Sequence, residues 1–331
     1  MQQIFLYAIV PIIVVMLVGF ISGKRGIFSA TDAKKFNKIV LDYALPAALF
    51  VSIVSATRQE LAHDLKLTIV SIVGIMLCFM AVYYVFRLFK GNTGAEAAVS
   101  ALVGGSPTIG FLGFAVLEPI FGTSPSVALV VAIVGIAVNA IGIPVGLTLL
   151  NAALGKDKTL PDGMPNPNYG KHSGGWHSVV QALKQPVAWA PILAVVWVLV
   201  GIPWPAYLSP SFELIAKANA SLAVFSAGIT LSAIKITVNW QVVLATFFKM
   251  FVMPAVVLLL GLCLGMDALK LKMLVAACAL PPAFTGIIIA DEYDVSVADS
   301  TSTLTLSILL FIATCPLWIW ITDLCTHTAG M

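Results

Sequence analysis

Charge is scarce in this sequence. Only 10% of the 331 residues are Asp, Glu, Lys or Arg, while 60% are hydrophobic and the mean hydropathy is +1.02. A soluble domain of this length would need far more polar side chains to cover its surface, so the composition predicts a polytopic membrane protein in contact with the lipid bilayer. The formal net charge of +3 also supplies no basic surface of the kind that binds nucleic acid.

The motifs of enzymes and metal sites are missing as well. The sequence has no H-E-x-x-H zinc motif, no G-x-x-x-x-G-K-[ST] phosphate-binding loop and no G-x-S-x-G nucleophile elbow. The four histidines all fall in predicted loops or at a terminus, and the five cysteines show no C-x-x-C spacing. The sequence therefore predicts a protein that is not an enzyme, binds no metal or cofactor, and takes its energy from gradients or partners.

Long apolar runs dominate what is present, and they predict an all-α fold. Ten such runs are long enough to span a bilayer as helices; they cover residues 3–22, 38–56, 66–88, 95–121, 126–152, 179–201, 209–233, 239–264, 269–290 and 296–323. Five lie in each half, within residues 1–154 and 179–331, and the hydrophilic stretch 155–178 joins the halves as a linker. Because five is odd, the second half enters the membrane from the opposite side, which makes any duplication an inverted repeat.

The positive charges predict how this chain is oriented. Twelve of the 18 Lys and Arg residues fall on one side of the predicted spans and four on the other, with Lys217 and Lys249 inside spans. Cytoplasmic loops are the ones enriched in Lys and Arg. The linker is therefore expected in the cytoplasm and both termini outside it. Lys24 and Arg25 follow the first apolar run rather than precede it, which indicates a retained first span and not a cleaved signal peptide.

Two of the ten runs are broken near their centres. Gly104-Gly105-Ser106-Pro107 interrupts the fourth run and Leu280-Pro281-Pro282-Ala283 interrupts the ninth, with Pro107 and Pro281 separated by 174 positions. Backbone groups that proline leaves unpaired are costly in lipid, so a broken helix survives at that depth only inside protein or beside a polar cavity. Interrupted spans at matching positions of two halves indicate the binding site of a secondary transporter. A pair of kinked structural helices is the alternative interpretation.

The chemistry of these breaks favours an anion. The N–H groups that open the half-helices after each break carry the positive end of a helix dipole and suit a carboxylate. The residues expected to bind substrate on this basis are Ser106, Pro107, Thr108, Ile109, Gly110, Phe111, Pro281, Pro282, Ala283, Phe284 and Thr285. The carbonyl groups that end the preceding half-helices, around Gly105 and Ala279, suit a coupling cation such as Na⁺.

Four further polar residues inside spans are candidates. Lys249, near the middle of its span, is expected either to neutralise an anionic substrate or to pair with the C-terminal end of a half-helix. The amide of Asn139 is expected either to contact substrate or to join two helices. Asp42 and Asp299 lie about one turn inside their spans and are candidates for coupling to Na⁺ or H⁺, with solvation at a helix end as the alternative.

These residues resemble the auxin efflux carrier family of membrane transporters over essentially the whole chain. The resemblance rests on Gly23-Lys24-Arg25-Gly26, Tyr43-Ala44-Leu45-Pro46-Ala47 and Gly110-Phe111-Leu112-Gly113 in the first half. Its strongest part is in the second half, at Ala279-Leu280-Pro281-Pro282, Ala290-Asp291-Glu292-Tyr293-Asp294, Ser302-Thr303 and Cys315-Pro316-Leu317. Many members carry an Asn shortly before the Gly-Phe of the first break, where this chain has Ser106-Pro107-Thr108. Within the family, the chain looks most like bacterial malonate carriers.

The resemblance implies a fold and a function. It implies ten spans with crossed broken helices 4 and 9, a scaffold domain from spans 1, 2, 6 and 7, and a transport domain from spans 3–5 and 8–10 that moves as an elevator. It also implies secondary transport of malonate, or of a related small carboxylate, across the bacterial cytoplasmic membrane, coupled to H⁺ or Na⁺. Export of an auxin-like organic acid and a non-transporting sensor or channel are the alternatives. A homodimer is compatible with the sequence.

Overall fold

A computed structural model describes residues 10–54, 65–89, 92–154, 186–233 and 237–328. In these ranges the chain is helical, and its one β-type contact is an isolated bridge. The first half contains α1 (Val10–Lys24), α2 (Ala30–Ile39), α3 (Leu45–Val54), α4 (Leu65–Leu88), α5 (Gly94–Gly104), α6 (Ile109–Phe121), α7 (Pro125–Gly135) and α8 (Ile143–Leu154). The second contains α9 (Pro186–Val200), α10 (Ser209–Ala233), α11 (Trp240–Phe247), α12 (Met253–Cys263), α13 (Ala268–Cys278), α14 (Phe284–Glu292) and α15 (Val297–Thr328).

Within the described ranges, five helical runs are long and apolar enough to cross a membrane. They are Leu65–Leu88, Ser126–Leu154, Ala206–Ala233, Trp240–Cys263 and Val297–Thr328. The other predicted spans fall on shorter or interrupted helices, so a total of ten remains a prediction. The predicted linker 155–178 lies outside the described residues. The structure thus has the all-helical, multi-pass character that the composition predicts.

In the part of the chain that the structure describes, three π-helical segments interrupt the long helices. They join α2 to α3, α7 to α8 and α11 to α12, and cover Val40–Ala44, Ile136–Gly142 and Phe248–Val252. Asp42, Asn139 and Lys249, three of the four polar candidates within spans, each lie in one of them. π-Bulges are rare and occur mainly at functional sites, so this location supports a functional role for these three residues.

Proline explains where the π-segments form. Pro46, Pro144 and Pro254 are each the second residue of the helix that follows a π-segment. A proline ring clashes with the carbonyl four residues earlier and donates no hydrogen bond to it, so the helix widens just before the ring. The carbonyl of Met250, four residues before Pro254, accepts instead from the indole Nε1 of Trp318 at 2.8 Å.

Among the described helices, the most extensive pairing joins α1 to α10. A Cβ atom on Gly19 would lie 2.1 Å from the carbonyl oxygen of Phe225, and one on Gly228 would lie 2.1 Å from that of Met16. The two backbones therefore touch, as membrane helices do where small residues face one another. The corresponding pairing, α3 with α9, buries larger side chains, including Ile53.

Two aromatic triads close the ends of these helix pairs. In one, Phe225 of α10 contacts Phe28 and Phe36 with ring centroids 5.6 and 6.1 Å apart. In the other, Phe50 of α3 contacts Trp204 and Phe212 at 5.2 and 5.6 Å. Corresponding members of the two triads are 175 or 176 positions apart in the chain. Each triad takes one ring from one half of the sequence and two rings from the other half.

The exposed large side chains of α4 form an apolar stripe. On α4 the exposed large side chains recur mostly at intervals of four residues, at Leu65, Ile69, Val73, Leu77, Tyr84 and Leu88. That spacing places them along one face of the helix. In a chain of this hydropathy such a face contacts lipid.

Candidate functional site

The two predicted breaks meet in the structure. The backbone N–H of Thr108 donates to the carbonyl of Pro281 at 2.9 Å, and the N–H of Ala283 donates to the carbonyl of Ser106 at 2.8 Å. These reciprocal bonds form an antiparallel bridge between Pro107 and Pro282. The breaks therefore satisfy part of each other's backbone hydrogen bonding, which lowers the cost of interrupting two helices at membrane depth.

Proline suits the centre of this bridge. In the non-hydrogen-bonded type of antiparallel pair, the flanking residues make both bonds and the central residues use neither N–H. Pro107 and Pro282 occupy those central positions. The prediction that Pro107 corresponds to Pro281 is off by one, because the bridge pairs positions 175 apart, the same separation as between Ile109 and Phe284, the first residues of α6 and α14.

Glycine allows close backbone packing at both breaks. At the first break, which packs on α4, a Cβ on Gly105 would lie 2.6 Å from the Ala101 carbonyl oxygen and 2.7 Å from the Phe79 Cα atom. A Cβ on Gly286 would lie 2.8 Å from the Leu102 carbonyl oxygen, where α14 packs on α5. Both neighbours are backbone atoms that a side chain would have to displace, so the crossing depends on these two glycines.

A small cavity lies beside the crossing. Its volume for the centre of a water molecule is about 10 Å³, which is room for about one water. Its lining comes from the start of α3, both breaks, the first turns of α6 and α14 and one π-segment, and consists of Leu45, Pro107, Thr108, Ile109, Gly110, Val138, Asn139, Ala283 and Thr285. Six of these nine belong to the predicted substrate-binding stretches and one is the predicted Asn139, so the folding of the chain brings residues from both halves to one place.

Neutral polar groups, rather than charges, converge on this cavity. The lining residues include the hydroxyl side chains of Thr108 and Thr285 and the amide side chain of Asn139, but no ionisable side chain. The hydroxyl of Thr108 and that of neighbouring Ser106 are buried and have no hydrogen-bond partner among the described residues. Because buried polar groups are nearly always paired, such hydroxyls are suited to contact a ligand, an ion or water.

Asn219 is a site residue that sequence analysis missed. It lies in α10, is 3% exposed, and its Nδ2 donates to the carbonyl of Gly110 at 2.5 Å. Its Oδ1 is buried, with no partner in the described ranges. The amide thereby connects α10 to the first turn of α6, one residue beyond the start of that half-helix. The sequence does contain one indication of its role, because Asn219 is a polar side chain in the middle of the predicted span 209–233.

Lys249 pairs with the end of a half-helix. Its ammonium group is fully buried and donates to the carbonyl of Cys278, the last residue of α13, at 2.6 Å, with the Met253 sulfur at 3.6 Å. The negative end of the α13 dipole and its free carbonyls favour a cation there. Of the two roles that the sequence allowed for Lys249, this contact is the pairing with the end of a half-helix. Lys249 does not line the cavity.

The remaining predicted residues are more scattered. Asp299 lies in the first turn of α15, where its carboxylate accepts from Nδ2 of Asn239 at 2.7 Å. Asp42 is half-buried in its π-segment. Neither lines the cavity. Ala279, the residue after α13, and Phe284 are buried near the second break, and the side chain of Phe111 is not described.

The sequence matches a known family over most of its length. The match covers residues 4–319, and the family is described as "Membrane transport protein". The chain belongs to the auxin efflux carrier family of membrane transport proteins. A family member of the same length range, the "Uncharacterized transporter YfdV" of Escherichia coli (strain K12), is 48% identical over 324 residues, which are 98% of this chain and 99% of that one.

More distant members of the family are also similar. The transporter MJ1031 of Methanocaldococcus jannaschii is 24% identical over 323 residues, 94% of this chain and 96% of its own. A plant protein, "Probable auxin efflux carrier component 9" of Oryza sativa subsp. japonica, is 30% identical over 135 residues, 39% of this chain and 32% of its own. The family and these relatives are transporters, so this chain is a membrane transporter and not an enzyme.

Proposed function

We propose that this member of the auxin efflux carrier family is a secondary active transporter of malonate or a related small carboxylate. The observation that carries the proposal is the crossing of two broken helices, whose N-terminal half-helix turns and neutral donors meet at one small cavity. Helix N-termini hold anions through backbone N–H groups and the helix dipole. Because no ionisable side chain lines the cavity, these dipoles are the groups that would recognise a carboxylate.

The polar groups of the cavity suit a carboxylate. In this conformation the cavity has room for about one water molecule, so a bound substrate requires the cavity to widen. Two hydroxyl side chains and one amide side chain suit carboxylate oxygens. An auxin-like organic acid is the second candidate, supported by the similarity to plant proteins named as auxin efflux carriers.

The proposed structural basis of alternating access is a pair of inverted five-helix repeats, residues 1–154 and 179–331. The reciprocal bridge, the paired packing of α1 with α10 and of α3 with α9, and the two aromatic triads all relate positions about 175 apart. This correspondence supports a scaffold of spans 1, 2, 6 and 7 and a transport domain of spans 3–5 and 8–10. The motion of that domain as an elevator is part of the proposal.

Energy is proposed to come from an H⁺ or Na⁺ gradient. The carbonyls that end α5 and α13 are the candidate cation ligands, together with the unpaired hydroxyls of Ser106 and Thr108. At α13, Lys249 already supplies a positive charge. A Na⁺ ion would therefore find its better position at the end of α5, near Gly105.

The chain is proposed to lie in the bacterial cytoplasmic membrane with both termini outside the cytoplasm, and a homodimer remains an expectation. Cys263 is exposed at the end of α12, on the side predicted to face outward. A variant that keeps only this cysteine should react with an impermeant maleimide in intact cells. Labelling only after the membrane is opened would reverse the proposed orientation.

Uptake into proteoliposomes tests the proposed substrate. Purified protein should take up labelled malonate saturably when either an H⁺ or a Na⁺ gradient is imposed, and unlabelled malonate should compete better than an auxin-like aromatic acid. Better competition by the aromatic acid would favour the second candidate. Non-saturable flux would indicate a channel, and ligand-dependent stabilisation without flux would indicate a sensor.

A matched pair of variants tests the site. Thr108→Val removes a buried, unpaired hydroxyl that lines the cavity, whereas Thr246→Val removes a buried, unpaired hydroxyl that does not. We expect Thr108→Val to weaken malonate binding about tenfold, since a hydrogen bond to a charged group contributes roughly 1.5 kcal/mol or more. Thr246→Val should leave binding unchanged. Equal effects of the two changes would place substrate elsewhere.

A further inference from the structure

The segment that ends α1 and forms α2 has a strongly basic outer face. Five basic side chains fall within residues 24–38, and all five are exposed: Lys24, Arg25, Lys34, Lys35 and Lys38. We call them the basic face. The proposed transport cycle does not use them.

The single acidic residue among them does not neutralise this charge. Asp32 accepts from the backbone N–H and the hydroxyl of Ser29 in a capping box, and its other oxygen lies 3.2 Å from the Lys35 ammonium group. The Ser29 backbone N–H, the Ser29 hydroxyl and Lys35 together lower the pKa of Asp32 to about 2. Asp32 thus stays ionised and hydrogen-bonded at the start of α2. Its single negative charge is smaller than the charge of the five basic residues, so the net charge of the segment remains positive.

The buried side of α2 holds the basic face in a fixed orientation. Ala33 and Asn37 are buried against α10, where the hydroxyl of Ser226 donates to the Ala33 carbonyl at 3.1 Å and to Asn37 Oδ1 at 2.5 Å. Phe36 contacts Phe225 in the same interface. With one side of the helix fixed in this way, the lysines on the other side project together rather than as parts of a mobile loop.

Exposed apolar side chains border the basic face. Val18 and Ile21 of α1 are 51% and 48% exposed and lead directly to Lys24, whose ammonium group lies 5.7 Å from the centroid of the Phe20 ring. Ile27 and Ile39 are 62% and 46% exposed beside the basic residues. Apolar side chains that give way to basic ones along a helix mark the depth at which acyl chains end and headgroups begin.

We propose that the basic face binds the headgroups of anionic phospholipids. The charges match phosphate in sign, their positions match headgroup depth, and the neighbouring isoleucines have acyl chains to contact. Each basic residue close to an anionic membrane surface raises affinity roughly fivefold. The occupant is therefore a lipid such as phosphatidylglycerol rather than a soluble anion.

Binding of a fluorescent phosphatidylglycerol to the full-length protein tests this. The triple variant Lys24→Gln/Arg25→Gln/Lys38→Gln should bind it about two orders of magnitude more weakly than the parent. The control Lys66→Gln/Lys217→Gln/Lys270→Gln removes the same total charge from elsewhere and should bind nearly as the parent does. Thermal unfolding of both variants in phosphatidylcholine vesicles verifies that they remain folded.

Several outcomes would overturn the proposal. Equal weakening in both triple variants would mean that only net charge matters. Binding that persists at about 1 M salt, where the Debye length falls to about 3 Å, would show that charge is not the cause. If inorganic phosphate added to phosphatidylcholine vesicles raised the unfolding temperature as much as phosphatidylglycerol does, the face would be a site for soluble anions.

Discussion

The two halves of the chain are alike where they build the crossing and different where polar chemistry is concentrated. Both contribute a broken helix, a central proline and an aromatic ring to the triad of the other half. In contrast, the position 175 before Lys249 is Gly74, the position 175 after Asn139 is Thr314, and the position 175 before Asn219 is Ala44. The shared features are those that two interrupted helices need in order to stay folded in lipid.

The difference has a physical basis. A bridge made by two breaks requires complementary geometry from both, since each donates to and accepts from the other. A binding site for an asymmetric environment, with a substrate on one side and a coupling ion on another, has no such requirement. Residues present in only one half, such as Asn139, are therefore candidates for distinguishing one substrate from another, whereas the half-helix N-termini of both halves would hold the carboxylate itself.

The largest expected effect breaks the closest contact between the halves. Gly228→Ala places a Cβ atom 2.1 Å from the Met16 carbonyl oxygen, so α1 and α10 must separate, and we expect a loss of more than about 4 kcal/mol in unfolding free energy. Gly135→Ala is the control, because its Cβ would meet only the Leu49 side chain, at 3.3 Å. Thermal unfolding in detergent compares them, and similar midpoints would contradict the close contact.

A smaller loss of unfolding free energy is expected when a phenylalanine is removed from either triad, and the two losses can be compared directly. Phe50 is buried and Phe225 is half-buried, so Phe50→Ala should cost about 3 kcal/mol and Phe225→Ala about 2 kcal/mol. The triads share no residue, so the double variant should lose the sum to within about 0.5 kcal/mol. Denaturation in mixed micelles measures all three variants. A marked departure from additivity would mean that the triads are coupled through the helices between them.

The smallest effect concerns a residue without a counterpart. If Lys249 supplies positive charge to the site, Lys249→Met should weaken binding of a dianion about tenfold and of a monoanion about threefold, because the Coulomb energy doubles with the charge of the ligand. Lys217→Met, which removes an exposed lysine of α10, should change neither. Isothermal titration with both ligand classes measures this. An equal loss for the two would assign Lys249 a structural role at the end of α13.

Much of the site could be predicted, because its backbone carries its own signal. Proline and glycine in the middle of an apolar run can be recognised without coordinates, and Thr108, Asn139 and Thr285 indeed line one cavity. The off-by-one pairing of the prolines and the contact of Asn219 could not be predicted. Both depend on the register between two segments that are far apart in the chain. Apolar sequence contains few features that specify such a register.

The sequence by itself determined that the chain is helical, resides in a membrane and has two matching breaks, since composition and proline placement act locally on each helix. Its similarity to other transporters determined the family. Only the tertiary structure decided that Pro107 faces Pro282, that Lys249 reaches the Cys278 carbonyl and that Asp299 stays away from the cavity. Such contacts join residues far apart in the chain, and packing against neighbouring helices selects among the many that local preferences allow.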